Sequence, residues 1–409
     1  MVNTLERCQT VLVELPESSI VYDWFTALHA FYNPIHTYLS IAICILGTLC
    51  NFCNIIVLTR RRMRTPVNMI LTAMAACDTV VLFSNLVYAT HYTFVAFVNC
   101  HPKHWSYGWA VFLICHAHLS LIGHSSSVWL SVMLALIRYS TLRSRRKVNV
   151  SQINLKHSYM AIASVILFVA VMNSPNFLVY HIFEMKLSET CNVTDTRNIN
   201  ASAYIPGVSD LALEAHCLVF RSAFWISGTI FKMVPCLLLS LFVWLLMKIL
   251  TKIQRNHQNI DNQSSKRNST HFQSTNTTPG SAGITSRTDR TTRMLLTILF
   301  VFLITELPQG IMAVLSGILP EAFRRYIYNS LGDLLDLLSL CNACTTFIIY
   351  CSMSEQFRNE FKRVFSLRIR IKFGRTSKST QNLKALPIHS FITASCDHTF
   401  QIKRKILNE

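Results

Sequence analysis

Seven long apolar stretches, separated by short clusters of basic residues, constrain the fold of this chain more than any other feature. About 20 apolar residues in an α-helix cross a hydrocarbon core of about 30 Å, and each stretch is long enough. Helices satisfy their backbone polar groups internally, and the stretches lack the alternation that is typical of barrel strands. The sequence therefore predicts an all-α membrane protein, a seven-transmembrane helix bundle. The predicted spans are approximately 35–59, 67–98, 109–140, 157–183, 219–250, 292–317 and 327–350.

The distribution of charge predicts the orientation of the bundle. The net charge is +18, but only 14% of residues are charged, whereas about 25% is usual for a soluble domain. The basic residues lie in short connectors rather than on one polar face, so we predict no binding of nucleic acid. Positive residues stay inside, which predicts a multi-pass membrane protein with a cytoplasmic C-terminus, and the odd number of spans then predicts an extracellular N-terminus. The basic clusters are Arg60–Arg64, Arg143–Lys147, Lys248–Arg255, Arg287–Arg293 and Arg358–Arg363.

The local amino-acid composition also predicts the regions into which the chain is divided. Phe357 and Phe361 recur at helical spacing opposite Arg358, which predicts an amphipathic helix on the inner membrane surface, in contact with lipid. Polar stretches cannot bury enough apolar surface to fold alone. The predicted divisions are an extracellular N-terminus at 1–34, a membrane domain at 35–353 with a disordered third cytoplasmic loop at 255–290, a short amphipathic surface helix at 354–366 and a disordered cytoplasmic tail at 367–409.

Most of the fourteen cysteines lie within apolar stretches, where we interpret them as small buried hydrophobic residues. We predict no metal-binding site of zinc type and no cofactor. The sequence shows no nucleophile–base pair and no phosphate-binding loop, so we predict that the protein is not an enzyme. Glycosylation sequons at Asn192 and Asn200 fall on the predicted outer side and are expected to be used.

Several local motifs occur in order along the spans. Asp78 lies within the second span, Arg138-Tyr139 ends the third, and Tyr350 ends the seventh shortly before Phe357-Arg358. Seven spans with these motifs resemble a rhodopsin-like G protein-coupled receptor. Further matches are Asn51, the run Met63–Asn68, and the prolines Pro175, Pro235 and Pro308.

Other motifs narrow the resemblance. They are Asn54–Arg60, His104–Trp109, Thr305–Gly310 and Tyr350–Ser354. Together, over about residues 31–366, they resemble the invertebrate myosuppressin and FMRFamide-type neuropeptide receptors, particularly the nematode branch and its Srw-like relatives. Such receptors imply an extracellular peptide ligand and a cytoplasmic heterotrimeric G protein, with arrestin and receptor kinases as further partners.

The resemblance implies an activation switch. Asp78, Ser127, Asn342 and Asn51 would form a polar cluster able to hold water or a sodium ion, although interhelical bonding without a switch would look the same. Arg138 and Tyr139 would engage the G protein. Tyr350 and Pro308 belong to the same implied machinery.

This chain departs from the family pattern at several positions. Ile137 replaces the acid that normally restrains Arg138, which predicts measurable basal activity, with Asp289 as a substitute restraint. Thr346-Phe347 replaces Asn-Pro before Tyr350.

The chain lacks the residues that bind two well-known classes of ligand. The seventh span contains no lysine for a retinal Schiff base, and Ser120 replaces the aspartate that anchors monoamines. Acidic residues on the sixth and seventh spans suit an Arg-Phe-amide peptide, because a guanidinium pairs well with a carboxylate. The candidate ligand-binding residues are Asp336, Asp333, Glu306, His116, Ser120 and Tyr92.

Two questions stay open at this stage. Cys100 is expected to pair with Cys217 or Cys191 across the outer face, with Cys115 as another candidate, and spacing alone does not choose between them. The alternative functions are an Srw-type chemoreceptor for small environmental molecules and, more remotely, a transporter or channel.

Overall fold

The computed structural model describes residues 19–144, 154–193, 196–268, 280–319 and 323–376, and its dominant feature is a bundle of long helices. Seven helices are long and apolar enough to cross a membrane, which confirms the predicted number. We number them spans 1 to 7. Their bounds are Ile20–Leu58, Pro66–Ala96, Tyr107–Arg143, Leu155–Val179, Cys217–Arg255, Thr292–Ile318 and Tyr326–Met353.

The helices that contain these spans are partly irregular. Short π-helical turns occur at the end of span 2, within span 5 and at the start of span 7; they are Tyr92–Ala96, Ile226–Met233 and Arg324–Tyr328. The α-helices are Ser19–Leu58, Pro66–His91, Tyr107–Ser144, Leu155–Met172, Ser174–Val179, Asp210–Trp225, Val234–Asn268, Gly280–Ile318, Asn329–Met353 and Glu355–Thr376.

Span 1 begins far earlier than its predicted start near residue 35. Its helix runs from Ser19 to Leu58 and contains Pro34, so about half of 1–34 is helical. The extension contacts the start of span 7, where the Tyr22 and Tyr326 rings stack with centroids 5.1 Å apart. Composition alone placed the boundary too late, because the polar residues of the extension are stabilised by tertiary contacts.

Span 4 ends at Val179, and the chain then forms an antiparallel hairpin that the sequence analysis did not predict. Strand β1, Tyr180–Lys186, pairs with strand β2, Ser202–Val208, in the register Tyr180 opposite Val208. The apolar run continues past Val179, so the prediction carried helix to about residue 183. Short apolar runs do not distinguish helix from strand. We call this end of the bundle the hairpin end and the opposite end the Arg138 end.

A disulfide joins the hairpin segment to the connector between spans 2 and 3. Cys100 pairs with Cys191, with their Cα atoms 5.8 Å apart. The first predicted partner, Cys217, is therefore wrong for Cys100. Cys217 forms a disulfide with another cysteine, and Cys115 is a free thiol. The Cys100–Cys191 bridge packs beside a small apolar cluster that includes Tyr92, Trp105 and Leu187.

Helix replaces part of the predicted third loop. The helix of span 5 continues to Asn268, and the helix of span 6 begins at Gly280, whereas 255–290 was expected to be disordered. Residues 269–279 lie outside the described ranges. The surface helix is also longer than predicted, because it continues from Glu355 to Thr376; the rest of the predicted tail, 377–409, and the first eighteen residues are not described.

The main apolar core occupies the Arg138 half of the bundle. Fully buried side chains from spans 2, 3, 5 and 6 meet there, and Phe357 and Phe361 of the surface helix pack into the same core. The hairpin half instead contains most of the ionisable side chains that lie within the spans. The two halves therefore differ, one dry and close-packed and the other polar. Core members include Ile70, Leu134, Leu246, Leu299 and Tyr350.

Candidate functional site

An ion pair connects spans 3 and 6 within the bundle. His124 Nε2 lies 2.9 Å from Glu306 Oε2, and Ser339 Oγ of span 7 donates to Glu306 Oε1 at 3.4 Å. Glu306 is 1% exposed, so it is a buried connector rather than an accessible ligand contact. An intramembrane charge requires a partner, and His124 supplies it.

Lys232 adds a cation to this network from span 5. Its Nζ donates to Gln309 Oε1 of span 6 at 2.8 Å, and Gln309 Nε2 donates to the Leu335 carbonyl of span 7 at 2.7 Å. Lys232 also lies within electrostatic range of Glu306 and Asp336. The Lys232–Gln309–Leu335 contacts thus link spans 5, 6 and 7, and the His124–Glu306–Ser339 contacts link spans 3, 6 and 7 beside them.

The sequence analysis missed His124, Lys232 and Gln309. The signal was present, because an ionisable residue in an apolar span is a functional hypothesis by default. Lys232 interrupts the apolar run of span 5, and His124 follows His116 and Ser120 at intervals of four, which places all three on one helix face. The acids of the spans were predicted as site residues, whereas the cations that would neutralise them were not.

Asp336 faces the interior at the hairpin end. Its carboxylate lies within electrostatic range of Lys232 on span 5, His36 on span 1 and His124 on span 3. A side chain surrounded by three other spans points into the bundle, yet Asp336 is solvent-accessible. The interior is therefore open to solvent at this level, and the opening presents a carboxylate.

Asp333 lies one turn closer to the start of span 7 and already has a partner. His29 Nε2 of the span 1 extension is 3.3 Å from Asp333 Oδ2. The extension therefore forms part of the wall beside this acidic pair. Of the predicted acids, Asp336 is the most available to a ligand.

The remaining predicted ligand residues have varied surroundings. His116 accepts or donates a hydrogen bond at 3.2 Å with Ser84 Oγ, and its ring stacks on Tyr88 with centroids 5.0 Å apart. Tyr92 is 6% exposed and packs against Trp105. It therefore packs against the connector between spans 2 and 3 and does not line the opening. Ser120 is half-buried on span 3, one turn before His124.

Asp78 lies below the Glu306 network, towards the Arg138 end. It is within electrostatic range of His124 and Glu306, and it interacts with Ser127, although Ser127 Oγ makes no hydrogen bond of ordinary geometry. Asn51 Nδ2 donates to the Ala343 carbonyl at 2.9 Å, while Asn51 Oδ1 is buried and accepts no hydrogen bond from the described residues. These unsatisfied oxygens give the region unfilled polar capacity. Asn342, next to Ala343, is 8% exposed.

The Arg138 end has its own interhelical contact. Tyr350 Oη donates to Asn68 Oδ1 at 3.1 Å, joining spans 7 and 2, and Tyr350 also interacts electrostatically with Arg138. Tyr139 accepts a hydrogen bond at 3.0 Å from Arg143. Pro308 is inside the helix of span 6, and the side chain of Asp289, the suggested restraint on Arg138, is not described.

Two pairs of free cysteines, Cys50 with Cys53 and Cys341 with Cys344, have a spacing that the sequence analysis overlooked. They lie on spans 1 and 7. Among the described residues, no group of three or more His, Cys, Asp or Glu side chains is arranged to hold a metal ion.

Seven membrane-crossing helices around a polar interior, with a disulfide-linked hairpin at one end, define a seven-transmembrane receptor. Residues 38–368 match the family described as serpentine type 7TM GPCR chemoreceptor Srw, and the chain belongs to this family of G protein-coupled receptors. Members of the family are signalling receptors, and the chain is a multi-pass membrane protein.

The chain is also similar to individual receptors. The chain is 59% identical over 374 residues to the G-protein coupled receptor dmsr-1 of Caenorhabditis elegans, covering 88% of this chain and 73% of that protein. It is 22% identical over 360 residues to the sex peptide receptor of Drosophila melanogaster, covering 84% of this chain and 75% of that one. Sex peptide receptor-related protein 2 of Caenorhabditis elegans is 24% identical over 330 residues, covering 76% and 66%.

Proposed function

We propose that this receptor binds an extracellular neuropeptide with an arginine near an amidated C-terminus, of the FMRFamide-like or myosuppressin-like kind, and activates a cytoplasmic heterotrimeric G protein. The accessible carboxylate of Asp336, within an interior otherwise enclosed by spans 1, 3 and 5, carries the proposal. A guanidinium supplies the planar donor pair that a carboxylate accepts. The name of the sex peptide receptor supports a peptide ligand for a chain of this kind.

The proposal places the hairpin end outside the cell. Basic residues cluster beyond the Arg138 end, as the cytoplasmic side of a plasma-membrane protein requires. The surface helix would then lie against the inner leaflet, where its basic side chains contact lipid headgroups. Arrestin and receptor kinases would approach the same side.

Glycosylation tests this orientation. Asn192 and Asn200 are exposed on the segment between β1 and β2. We expect a glycosidase to increase the electrophoretic mobility of the wild-type protein and to leave an Asn192→Gln/Asn200→Gln double variant unchanged. Glycan on Asn149 or Asn262, which the sequence predicts to be on the inner side, would contradict the orientation.

The contacts around Glu306 and the contact between Tyr350 and Asn68 offer a route by which ligand binding could affect the G protein side. A ligand shifts a population between packings of the same helices. The Glu306 network joins spans 3, 5, 6 and 7 beneath the opening, and the Tyr350–Asn68 bond joins spans 2 and 7 near Arg138. We propose that peptide binding changes the first set of contacts, that the second set responds, and that Arg138 and Tyr139 then engage the G protein.

Asp78 lies between these levels, and we propose that it holds water or a sodium ion together with Ser127 and Asn51. Carboxylate, hydroxyl and amide oxygens are suitable ligands for a hard cation. In wild-type receptor, we expect replacement of sodium by choline to change agonist affinity by about fivefold or more, which is the lower range of allosteric coupling. Asp78→Asn should abolish the difference, measured by binding on membranes. Unchanged signalling and unchanged sodium sensitivity would contradict the switch.

The decisive experiment exposes cells that express the receptor to a library of amidated invertebrate peptides and records G protein activation. A submicromolar response to an Arg-Phe-amide peptide supports the proposal. The family description names chemoreceptors, so small environmental molecules form the second candidate class. Silence across the peptide library with confirmed surface expression, followed by a response to such a molecule, would favour that class.

A further inference from the structure

Lys232 has unused hydrogen-bonding capacity in the interior of the bundle. An ammonium group has three N–H donors, and one of them bonds to Gln309 Oε1. Among the residues that the structure describes, Lys232 makes no ion pair within 4 Å, since the two ion pairs there are His29–Asp333 and His124–Glu306. Two donors are thus left without an acceptor among the described residues.

Lys232 is not a simple counter-charge to Glu306. Glu306 is already paired with His124 at 2.9 Å and accepts from Ser339. Gln309 is neutral, and its amide group is fixed by its hydrogen bond to the Leu335 carbonyl. It therefore cannot rotate to provide a further acceptor for Lys232. A neutral amide oxygen alone compensates poorly for placing an ammonium in a membrane span.

The backbone of span 5 is adapted to present this side chain. Lys232 lies in the π-helical turn Ile226–Met233, and such turns occur frequently at functional sites. Span 6 approaches closely at Gly310, where an added Cβ would lie 3.1 Å from Met233 Sδ and 3.6 Å from Lys232 Cβ. The two spans therefore meet where Lys232 turns towards Gln309. Lys232 is only partly exposed, so most of its side chain is enclosed by the bundle near Gln309.

We propose that Lys232 is a ligand-binding residue that donates to the carbonyl oxygen of the peptide's C-terminal carboxamide, while Asp336 accepts the guanidinium. Lys232 on span 5 and Asp336 on span 7 lie within electrostatic range of each other. Together they suit a ligand that carries a cation and a neutral oxygen acceptor a short distance apart. A carboxylate is disfavoured at the same position, because Glu306 and Asp336 place negative charge nearby. This inference rests on the proposed function.

A thermodynamic cycle between receptor and peptide tests the contact. The probes are the active Arg-Phe-amide peptide and an analogue that ends in phenethylamine, which retains the ring and lacks the carboxamide. The receptors are wild type, Lys232→Met and, as a matched control, Lys248→Met, which changes an exposed lysine at the other end of span 5. Surface expression is measured for each receptor, and affinity is measured by competition binding.

If the contact exists, removing the carboxamide should weaken binding to wild type and to Lys248→Met by about tenfold or more, as expected for a hydrogen bond to a charged group. Lys232→Met should weaken binding of the amide by a similar factor and should bind the two probes almost equally. A merely structural role for Lys232 would instead leave the ratio between the probes unchanged, and that result would overturn the inference. Failure of the proposed function itself is distinguishable, since wild type would then bind neither probe.

Discussion

Replacing Asp336 should reduce the potency of an arginine-containing peptide about 10- to 100-fold. A hydrogen bond to a charged group contributes about 1.5–3 kcal/mol, and Asp336 offers the accessible carboxylate of the opening. Asp336→Asn retains the shape of the side chain and removes the charge, so the loss should appear in agonist concentration–response curves without a loss of surface expression. Charge reversal to arginine should have a larger effect.

Two comparisons make this prediction specific. Asp333→Asn should reduce peptide potency less than Asp336→Asn does, because Asp333 already contacts His29. A peptide with citrulline in place of arginine should lose potency on wild type and little further on Asp336→Asn, since both changes remove the same interaction. Full potency of the arginine peptide on the Asp336→Arg receptor would remove Asp336 from the site.

Breaking the His124–Glu306 pair should destabilise the receptor strongly. His124→Leu leaves the carboxylate of Glu306 buried without its 2.9 Å partner, and loss of one member of a buried pair typically costs about 3–5 kcal/mol. We expect a large fall in surface expression and in the thermal stability of detergent-solubilised receptor. Glu306→Gln should be milder, because an amide still hydrogen-bonds to Ser339 and His124.

A double variant measures the interaction between His124 and Glu306 separately from the contribution of each residue. His124→Leu/Glu306→Leu removes both charged partners, and apolar replacement of a buried pair is often neutral. We therefore expect the double variant to be more stable than His124→Leu alone. If the two single effects simply add, the pair makes no specific contribution and the network does not depend on it.

The sequence predicted those features that the membrane itself dictates. Seven apolar runs and their basic connectors gave the number and the approximate positions of the spans, because hydrocarbon thickness and backbone hydrogen bonding leave few alternatives. The sequence also placed the acids Asp333 and Asp336 in the outer half of span 7, and their role in ligand binding stays a prediction. Cys100 was recognised as one half of a bridge.

Features that depend on distant contacts escaped prediction. The pairing of Tyr180–Lys186 with Ser202–Val208, and the choice of Cys191 over Cys217, depend on where a long connector folds back. The helical extension of span 1 depends on Tyr326 and Asp333, about 300 residues away in sequence. His124 and Lys232 are single residues within apolar windows, and their pairing with Glu306 and Gln309 is visible only in three dimensions.

The length of the first helix has a consequence for the amino-terminal boundary of the receptor. Forty residues at 1.5 Å each extend about 60 Å, twice the thickness of the hydrocarbon core, so the first half stands beside the opening rather than in the bilayer. A truncation at Pro34 would keep a complete membrane anchor and still delete His29 and Tyr22. Asp333 would then lose its His29 partner, and its carboxylate would become more available to a ligand. Shortened forms of this receptor would thus reach the cell surface with an altered preference for ligand charge.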